Sequence, residues 1–194
     1  MTIKIRLDIT GITPLLCHNI NLANPLDERS KLMKEYSGKK KKTDSDYEQM
    51  AKLDWYGGLY TSPGIEGPAF PTRSIRMSLI QGARLSRKGK DVERALNFED
   101  MYVPLDYPGP RDIDELFESG QFANQDMVTV NGKKISRTRP QFPQWSLMAT
   151  CYLTEDVANL RDIHAYAETA GRLIGVGDNR VNGYGKYNVV IEAL

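Results

Sequence analysis

The segment that most constrains the fold of this chain is a glycine-rich stretch near its end, at 175–185. Four glycines lie there, between a helical pattern and a last strand: Gly175, Gly177, Gly183 and Gly185. Glycine adopts positive φ without steric cost and lets other groups approach the backbone closely. The stretch is therefore either a loop whose main-chain N–H groups wrap an extended anionic chain, or a long turn between the helix and the strand. Arg180 and Lys186 add positive charge to it.

Positive and negative charges are segregated along the sequence, although they nearly balance at +1 overall. The stretch 68–90 contains basic residues and no acidic one, and 133–139 holds a second basic group. The stretch 91–126 instead contains ten acidic residues and two arginines. Such separated blocks favour a polyanionic ligand and head-to-tail contacts between copies, although they also occur as ordinary solvated surface.

The composition indicates a soluble protein. No apolar stretch approaches the roughly 20 residues that span a bilayer, and the N-terminus begins directly as an alternating strand. The two cysteines, Cys17 and Cys151, form no CxxC pair and have few histidines nearby, which disfavours a metal site or a disulfide framework. The sequence therefore predicts a cytoplasmic protein without a cofactor, a metal ion or a membrane contact.

Hydrophobic periodicity places the main elements. Apolar residues alternate with polar ones at 3–9, which predicts a first strand with one buried face. Helical patterns begin behind capping residues at Thr72 and Asn159. Further strands are predicted at 145–153 and 187–194. This order of strands and helices predicts an α+β fold, a ferredoxin-like (RRM-like) antiparallel sheet with two helices on one face.

Two stretches do not fit this minimal order and are predicted to be insertions in a single domain, 1–194. The first, at about 24–60, is lysine-rich and helical or mobile, with four consecutive lysines at 39–42. Thr43 and Asp46 form a capping-box pattern for its second helix. The second, at about 91–139, combines the acidic segment with a hairpin, because Asn131-Gly132 between alternating residues favours a type I′ turn.

Three stretches together resemble the RAMP superfamily, which includes the crRNA-binding backbone subunits of CRISPR effector complexes. They are the end of the first strand at 11–16, the Pro-Thr-Arg start and amphipathic helix at 71–84, and the glycine-rich stretch at 175–185. The resemblance implies a modified RRM-type fold that holds a single RNA strand by its backbone and stacks into a filament. The compact size is similar to that of stand-alone members encoded by tailed phages, which implies a place in the host cytoplasm.

Basic, glycine and aromatic residues are the candidates for nucleic-acid contact. Arginine and lysine track phosphates, and aromatic rings in loops stack on bases. Trp145 alternates with apolar residues and is assigned to the core. The candidate binding residues are Arg73, Arg76, Arg84, Lys133, Lys134, Arg137, Arg139, Phe142, Gly175, Gly177, Arg180, Gly183, Tyr184, Gly185 and Lys186.

Catalysis has two candidates. His18 lies just beyond the first strand, where some RAMP endoribonucleases carry a general acid or base, and Asp27 follows in the loop where metal-assisted cleavage occurs in some backbone subunits. We predict a non-catalytic protein that binds single-stranded RNA or DNA and assembles with itself into a head-to-tail filament or ring. The alternatives are an endoribonuclease that uses His18 or Asp27, and a phage structural or host-interaction protein that binds no nucleic acid.

Overall fold

The structure is a computed structural model that describes residues 1–130 and 132–194. In chain order, the strands and helices of a central α/β unit are separated by further helices and strands that lie outside that unit. The elements are β1 (Thr2–Gly11), β2 (Leu15–Leu16), α1 (Glu28–Gly38), α2 (Asp44–Gly58), β3 (Ala69–Pro71), α3 (Thr72–Arg84), α4 (Gly89–Ala95), β4 (Leu96–Phe98), β5 (Tyr102–Pro104), α5 (Ile113–Glu118), β6 (Ala123–Val130), β7 (Lys133–Phe142), β8 (Ser146–Thr154), α6 (Leu160–Thr169) and β9 (Tyr187–Ala193).

A four-stranded antiparallel sheet forms the centre of the fold. Its strand order is β4-β8-β1-β9, with β1 paired to both β8 and β9. Helix α3 precedes β4 in the chain and α6 precedes β9, so the minimal order is strand, helix, strand, strand, helix, strand. This order and this pairing confirm the predicted ferredoxin-like fold class.

The core lies between this sheet and the two helices. Ile5, Leu7 and Ile9 of β1 are buried, as their alternation requires. The helices α3 and α6 approach each other closely at Gly82, where an added Cβ would lie 2.7 Å from the carbonyl oxygen of Tyr166. Glycine at this position therefore permits helix-to-helix contact.

The ends of the helices mostly agree with the predicted caps. The Asn159 side chain accepts from Asp162 N at 2.9 Å and caps α6, and Thr43 with Asp46 forms the predicted capping box of α2. Thr72, however, is the first residue of α3 and not its cap. Its hydroxyl donates instead to the carbonyl of Asp100 at 2.6 Å, because it faces the chain that enters β5.

The lysine-rich stretch forms a helical hairpin of α1 and α2. Helix α1 has no buried residue among those described, whereas Trp55 of α2 is buried and donates from Nε1 to the carbonyl of Phe122 at 2.8 Å. Lys39 contacts Asp46 at 2.5 Å, and Lys42 donates to the carbonyl of Lys39 at 2.9 Å. Two of the four consecutive lysines therefore fasten the turn between the helices.

The second predicted insertion differs from the structure at its start. Residues Leu96–Phe98 lie inside 91–139 but form β4, the edge strand of the central sheet. The hairpin of β6 and β7 is present and longer than its pattern indicates, since β7 extends to Phe142 and pairs there with β2. Asn131 of the predicted turn lies outside the described residues, and Gly132 has φ of 76°.

Asp54 of α2 holds this hairpin against the helices. One carboxylate oxygen lies 3.0 Å from Arg137 Nη1, and the other accepts from the Thr138 N–H at 2.8 Å. Asp54→Ala removes both contacts from a buried position, and we expect it to lower the free energy of unfolding by about 2 kcal/mol. Thermal denaturation should show a fall of about 4–8 °C in Tm. Asp54→Asn keeps an acceptor for Thr138 and should lose less, and equal losses for both variants would contradict this account.

The two cysteines are buried, and the described residues show neither a membrane-spanning helix nor a cluster of metal ligands. Cys17 and Cys151 are buried free thiols, and burial raises the pKa of Cys151 to about 12. Within 1–130 and 132–194, no helix has the length and apolarity needed to cross a bilayer. No group of three potential metal ligands occurs in the same residues.

Candidate nucleic-acid interface

A groove of about 530 Å³, the α3 groove, opens between separate parts of the chain. Its main walls are the segment after β2, the first three turns of α3, and the glycine-rich stretch before β9, and Tyr60 and Tyr102 complete the lining. The residues that line it are Asn19, Ile20, Asn21, Tyr60, Pro71, Arg73, Ser74, Met77, Gln81, Tyr102, Gly177 and Arg180. The three stretches that carry the RAMP resemblance thus lie at or next to a single surface.

Two arginines give this groove its charge. Arg73 is exposed on the first turn of α3, and Arg180 donates from Nη1 to Gln81 Oε1 at 3.2 Å. Neither guanidinium forms an ion pair with any residue that the structure describes. Because both line the same groove, an anion there meets two positive charges that no carboxylate neutralises.

Tyrosine rings and asparagine side-chain amides also line the groove. Tyr60 donates its hydroxyl to the carbonyl of His18 at 2.9 Å, and burial raises the pKa of Tyr60 to about 12, so it stays protonated and holds that loop. Asn19 accepts from Asn21 N at 3.2 Å and donates to the carbonyl of Leu59 at 3.3 Å. The segment after β2 is therefore held in place beside the arginines.

The glycine-rich stretch is fastened to the fold by its own main chain. Gly185 donates its N–H to the carbonyl of Pro14 at 2.8 Å, and Asp178 donates to the carbonyl of Leu16 at 2.8 Å. Further bonds are Gly175 N to Ala170 O, Val176 N to Gly185 O, Asn182 N to Asn179 O, Gly183 N to Arg180 O and Lys186 N to Thr13 Oγ1. These bonds favour the alternative of a structural turn, and they leave fewer of its N–H groups for an anionic chain than the sequence indicates.

Three of the four glycines serve packing. Gly175, Gly177 and Gly185 have positive φ, and a Cβ on them would lie 2.8, 2.5 and 1.8 Å from a carbonyl oxygen of the protein. Gly183 also has positive φ, at 91°, but no neighbouring atom lies within 4 Å of the point that its Cβ would occupy. Gly183 and the half-buried Tyr184 remain predicted contacts.

Several other predicted contacts are occupied within the protein. Lys186 donates from Nζ to the carbonyl of Leu173 at 2.7 Å, and burial, with the nearby charge of Arg180, lowers its pKa. Arg76 donates to the carbonyls of Leu96, at 3.2 Å, and Glu93. Both side chains donate hydrogen bonds to backbone carbonyls of the protein, so their role is to hold the fold.

The two arginines of the basic group on β7 are opposed by acids, contrary to their appearance in the sequence. Arg137 pairs with Asp54, and Arg139 Nε lies 2.9 Å from Asp178 Oδ2. Lys134 lines a different groove, beside α2, and the side chain of Lys133 lies outside what the structure describes. Arg84 is exposed at the end of α3 and remains a predicted contact.

Phe142 is not available for stacking on a base. It is the last residue of β7 and not a loop residue, it is fully buried, and its ring packs 4.9 Å from the ring of Tyr107 and 5.8 Å from that of Phe122. Trp145 is buried as predicted, and its Nε1 donates to the carbonyl of Thr13 at 2.9 Å.

No hydrogen bond or ion pair joins the two candidate catalysts, His18 and Asp27, within the described residues. His18 is half-buried two residues after β2, and its carbonyl accepts a hydrogen bond from the Tyr60 hydroxyl. Asp27 is the N-cap of α1 and accepts from the N–H groups of Arg29, at 2.9 Å, and Ser30, at 3.3 Å. The Asp27 carboxylate therefore has a structural role at this helix end.

Two groove residues that were not predicted, Met77 and Gln81, share a helix face with the predicted Arg73. The three are spaced four apart on α3, so they point the same way, and this spacing is a usable signal. Tyr60 and Tyr102 come from distant parts of the chain. No local pattern connects these tyrosines to the groove.

The open face of the central sheet, which carries RNA in ordinary RRM domains, is electrically balanced here. Lys4 pairs with Glu99 at 2.9 Å, and Arg6 pairs with both Asp8, at 2.9 Å, and Glu192, at 2.8 Å. The α3 groove, with two unpaired guanidinium groups, is therefore the stronger anion site.

Comparison with known proteins identifies the fold. No protein-family model and no curated protein matches the chain. A chain in the cryo-EM structure of the Type III-B Cmr-beta bound to cognate target RNA matches all of this chain, with 14% identity and a TM-score of 0.54, and this chain spans 61% of its length. Cmr4 matches over 97% of this chain and 98% of its own, with 9% identity and a TM-score of 0.48. Cmr6 from Pyrococcus furiosus matches over 96% of this chain and 98% of its own, with 9% identity and a TM-score of 0.37.

The first of these matches carries the comparison, because it extends over the whole of this chain at a TM-score above 0.5. The chain therefore has the fold of a chain in the Type III-B Cmr-beta structure, in agreement with the predicted resemblance.

Proposed function

We propose that this protein binds single-stranded RNA in the α3 groove. The observation that carries the proposal is the pair of guanidinium groups, Arg73 and Arg180, that line one groove without a carboxylate partner among the described residues. The fold adds support, since a chain of the same fold belongs to a structure bound to target RNA. Single-stranded DNA would meet the same charges, so comparing the two is part of the test.

The groove suits contacts that do not depend on base sequence. Arg73 and Arg180 bind phosphate oxygens, and the side-chain amides of Asn19 and Asn21 offer further hydrogen bonds to the sugar-phosphate chain. The rings of Tyr60 and Tyr102 supply apolar surface for bases, for which stacking is worth roughly 1–3 kcal/mol per base. Specific readout would need more buried polar groups than this groove presents.

The protein is proposed to assemble along the strand and to leave it uncut. The exposed acidic side chains of α5, among them Asp114 and Glu115, provide a surface for a basic face of the next copy, in a head-to-tail contact. The Asp27 carboxylate caps α1, which favours binding over cleavage. The size of the protein is similar to that of stand-alone, phage-encoded RAMP proteins, so we place the protein in the cytoplasm of an infected cell.

Binding should weaken with salt in proportion to the phosphates contacted. Two contacts predict that the logarithm of the binding constant falls with the logarithm of salt concentration with a slope of about −1.4 per protein, at roughly 0.7 for each contact. Fluorescence anisotropy with labelled 20-nucleotide oligouridine and oligodeoxythymidine measures this slope and the preference for RNA. Light scattering on the same samples with longer RNA should show a mass that grows with RNA length. A binding constant that does not change with salt would refute the proposal.

A further inference from the structure

A second groove, the hairpin groove, lies on a different part of the surface. It encloses about 600 Å³ between strand β7 and the helical hairpin of α1 and α2. Apolar side chains from both sides line it: Met33, Met50, Ala51, Met127 and Ile135. A volume in the range of about 300–1,000 Å³ is typical of binding clefts. Three methionines make the lining adaptable in shape, as in surfaces that bind varied peptides.

The backbone of β7 turns an unpaired edge toward this groove. Thr138 donates its N–H to Asp54 on α2, and the carbonyl of Pro140 accepts from Cys17 N at 2.9 Å. Both residues therefore direct their backbone groups away from β6. In an antiparallel pair this direction alternates along a strand, so Lys134 and Ser136 direct theirs the same way.

No described strand uses that part of the edge. Strand β2 pairs with β7 only at Gln141 and Phe142, and β6 occupies the opposite side of β7. The hairpin groove thus combines an apolar lining with a row of free N–H and C=O groups. An added β-strand satisfies such a row, whereas a phosphate chain, which only accepts hydrogen bonds, would leave the carbonyls unpaired.

The charges around the hairpin groove specify what kind of strand fits. Lys42 and Lys134 line it, and neither forms an ion pair with a described residue. The lining carboxylate, Asp54, is already neutralised by Arg137. A segment that enters the groove therefore meets net positive charge.

We propose that the hairpin groove binds an extended, acidic segment of a partner protein, which adds a strand to the free edge of β7. The segment carries apolar side chains at alternate positions, on the face of the hairpin that carries Ile135, and carboxylates between them, on the opposite face, which carries Lys134. The Thr138 N–H is already bonded to Asp54, so the free part of the edge runs from Lys134 to the carbonyl of Thr138. This length is about 13 Å at roughly 3.3 Å per residue, so about four residues of the segment lie along the edge. This site is separate from the α3 groove and does not depend on RNA binding.

A synthetic octapeptide of alternating valine and glutamate, labelled with fluorescein, tests this proposal by fluorescence anisotropy on the full chain. We expect saturable binding, about tenfold weaker for the matched peptide with lysine in place of glutamate. Peptide N-methylated on the face that pairs with β7 should bind at least about tenfold more weakly, because it loses hydrogen bonds but keeps its apolar side chains.

Two protein variants separate edge pairing from apolar contact. Ser136→Pro removes an edge N–H at a position where proline is tolerated, and Met50→Glu places a carboxylate in the groove lining. Both should weaken peptide binding about tenfold while circular dichroism and oligonucleotide affinity stay unchanged. The proposal fails if the peptide does not bind below millimolar concentration, if N-methylation has no effect, or if oligonucleotide displaces the peptide. It fails equally if Ser136→Pro abolishes self-association, which would identify a second copy as the occupant.

Discussion

Reversing both arginines of the α3 groove, in Arg73→Glu with Arg180→Glu, is expected to lower the affinity for single-stranded RNA by about 100-fold or more. Each arginine contributes a charge-assisted contact to phosphate, and two contacts at roughly 1.5 kcal/mol each give about 3 kcal/mol. The residual binding should lose most of its dependence on salt, since few phosphate contacts remain. Anisotropy titrations at two salt concentrations measure both effects.

A matched control makes this loss specific to the groove. Arg161→Glu with Arg172→Glu changes the net charge by the same amount, at two exposed arginines of α6 and the turn that follows it. We expect this control to keep nearly the parental affinity. Equal losses for the two double variants would show that only net charge matters, and would remove the argument for a specific groove.

Gly185→Ala is expected to destabilise the protein strongly. Gly185 has φ of 68°, and its added Cβ would lie 1.8 Å from the carbonyl oxygen of Val176. Backbone strain and the forced shift together should lower the free energy of unfolding by about 3 kcal/mol or more. Thermal denaturation should show a fall in Tm of about 6–12 °C.

Gly183→Ala is the matched control, because Gly183 has positive φ but open space around it. It should cost only about 1 kcal/mol, or about 2–4 °C in Tm, from backbone conformation alone. If Gly185→Ala and Gly183→Ala proved equally stable, the close packing of the glycine-rich stretch against Val176 would be wrong.

The fold is predictable because its signals are local and repeated. The alternation in β1, the Asn159 cap of α6 and the capping box at Thr43 each act within a few residues, and the structure contains all three. Strand β4 escapes prediction because three residues are too few to show a period. Thr72 is not the cap that its position suggests, because its hydroxyl has a better acceptor in a distant segment, at Asp100.

The candidate site is less predictable, because charge in a sequence does not reveal its partner in space. Arg137 and Arg139 look unopposed until α2 and the glycine-rich stretch bring Asp54 and Asp178 against them. The glycines indicate an unusual backbone, but most of their N–H groups bond within the fold and leave little for a ligand. Arg73 and Arg180 are candidates from the sequence, and only the tertiary structure shows that they share one surface.

Ultraviolet cross-linking of bound oligouridine, mapped by mass spectrometry, tests the central claim most directly. The proposed function places RNA in the α3 groove, so cross-linked uridine should appear on peptides that contain Tyr60, Met77 or Tyr102. The open face of the sheet offers a built-in comparison, because Met148 and Tyr152 are exposed there. Cross-links concentrated on Tyr60, Met77 and Tyr102 are the expected result, and cross-links concentrated on Met148 and Tyr152 would contradict it.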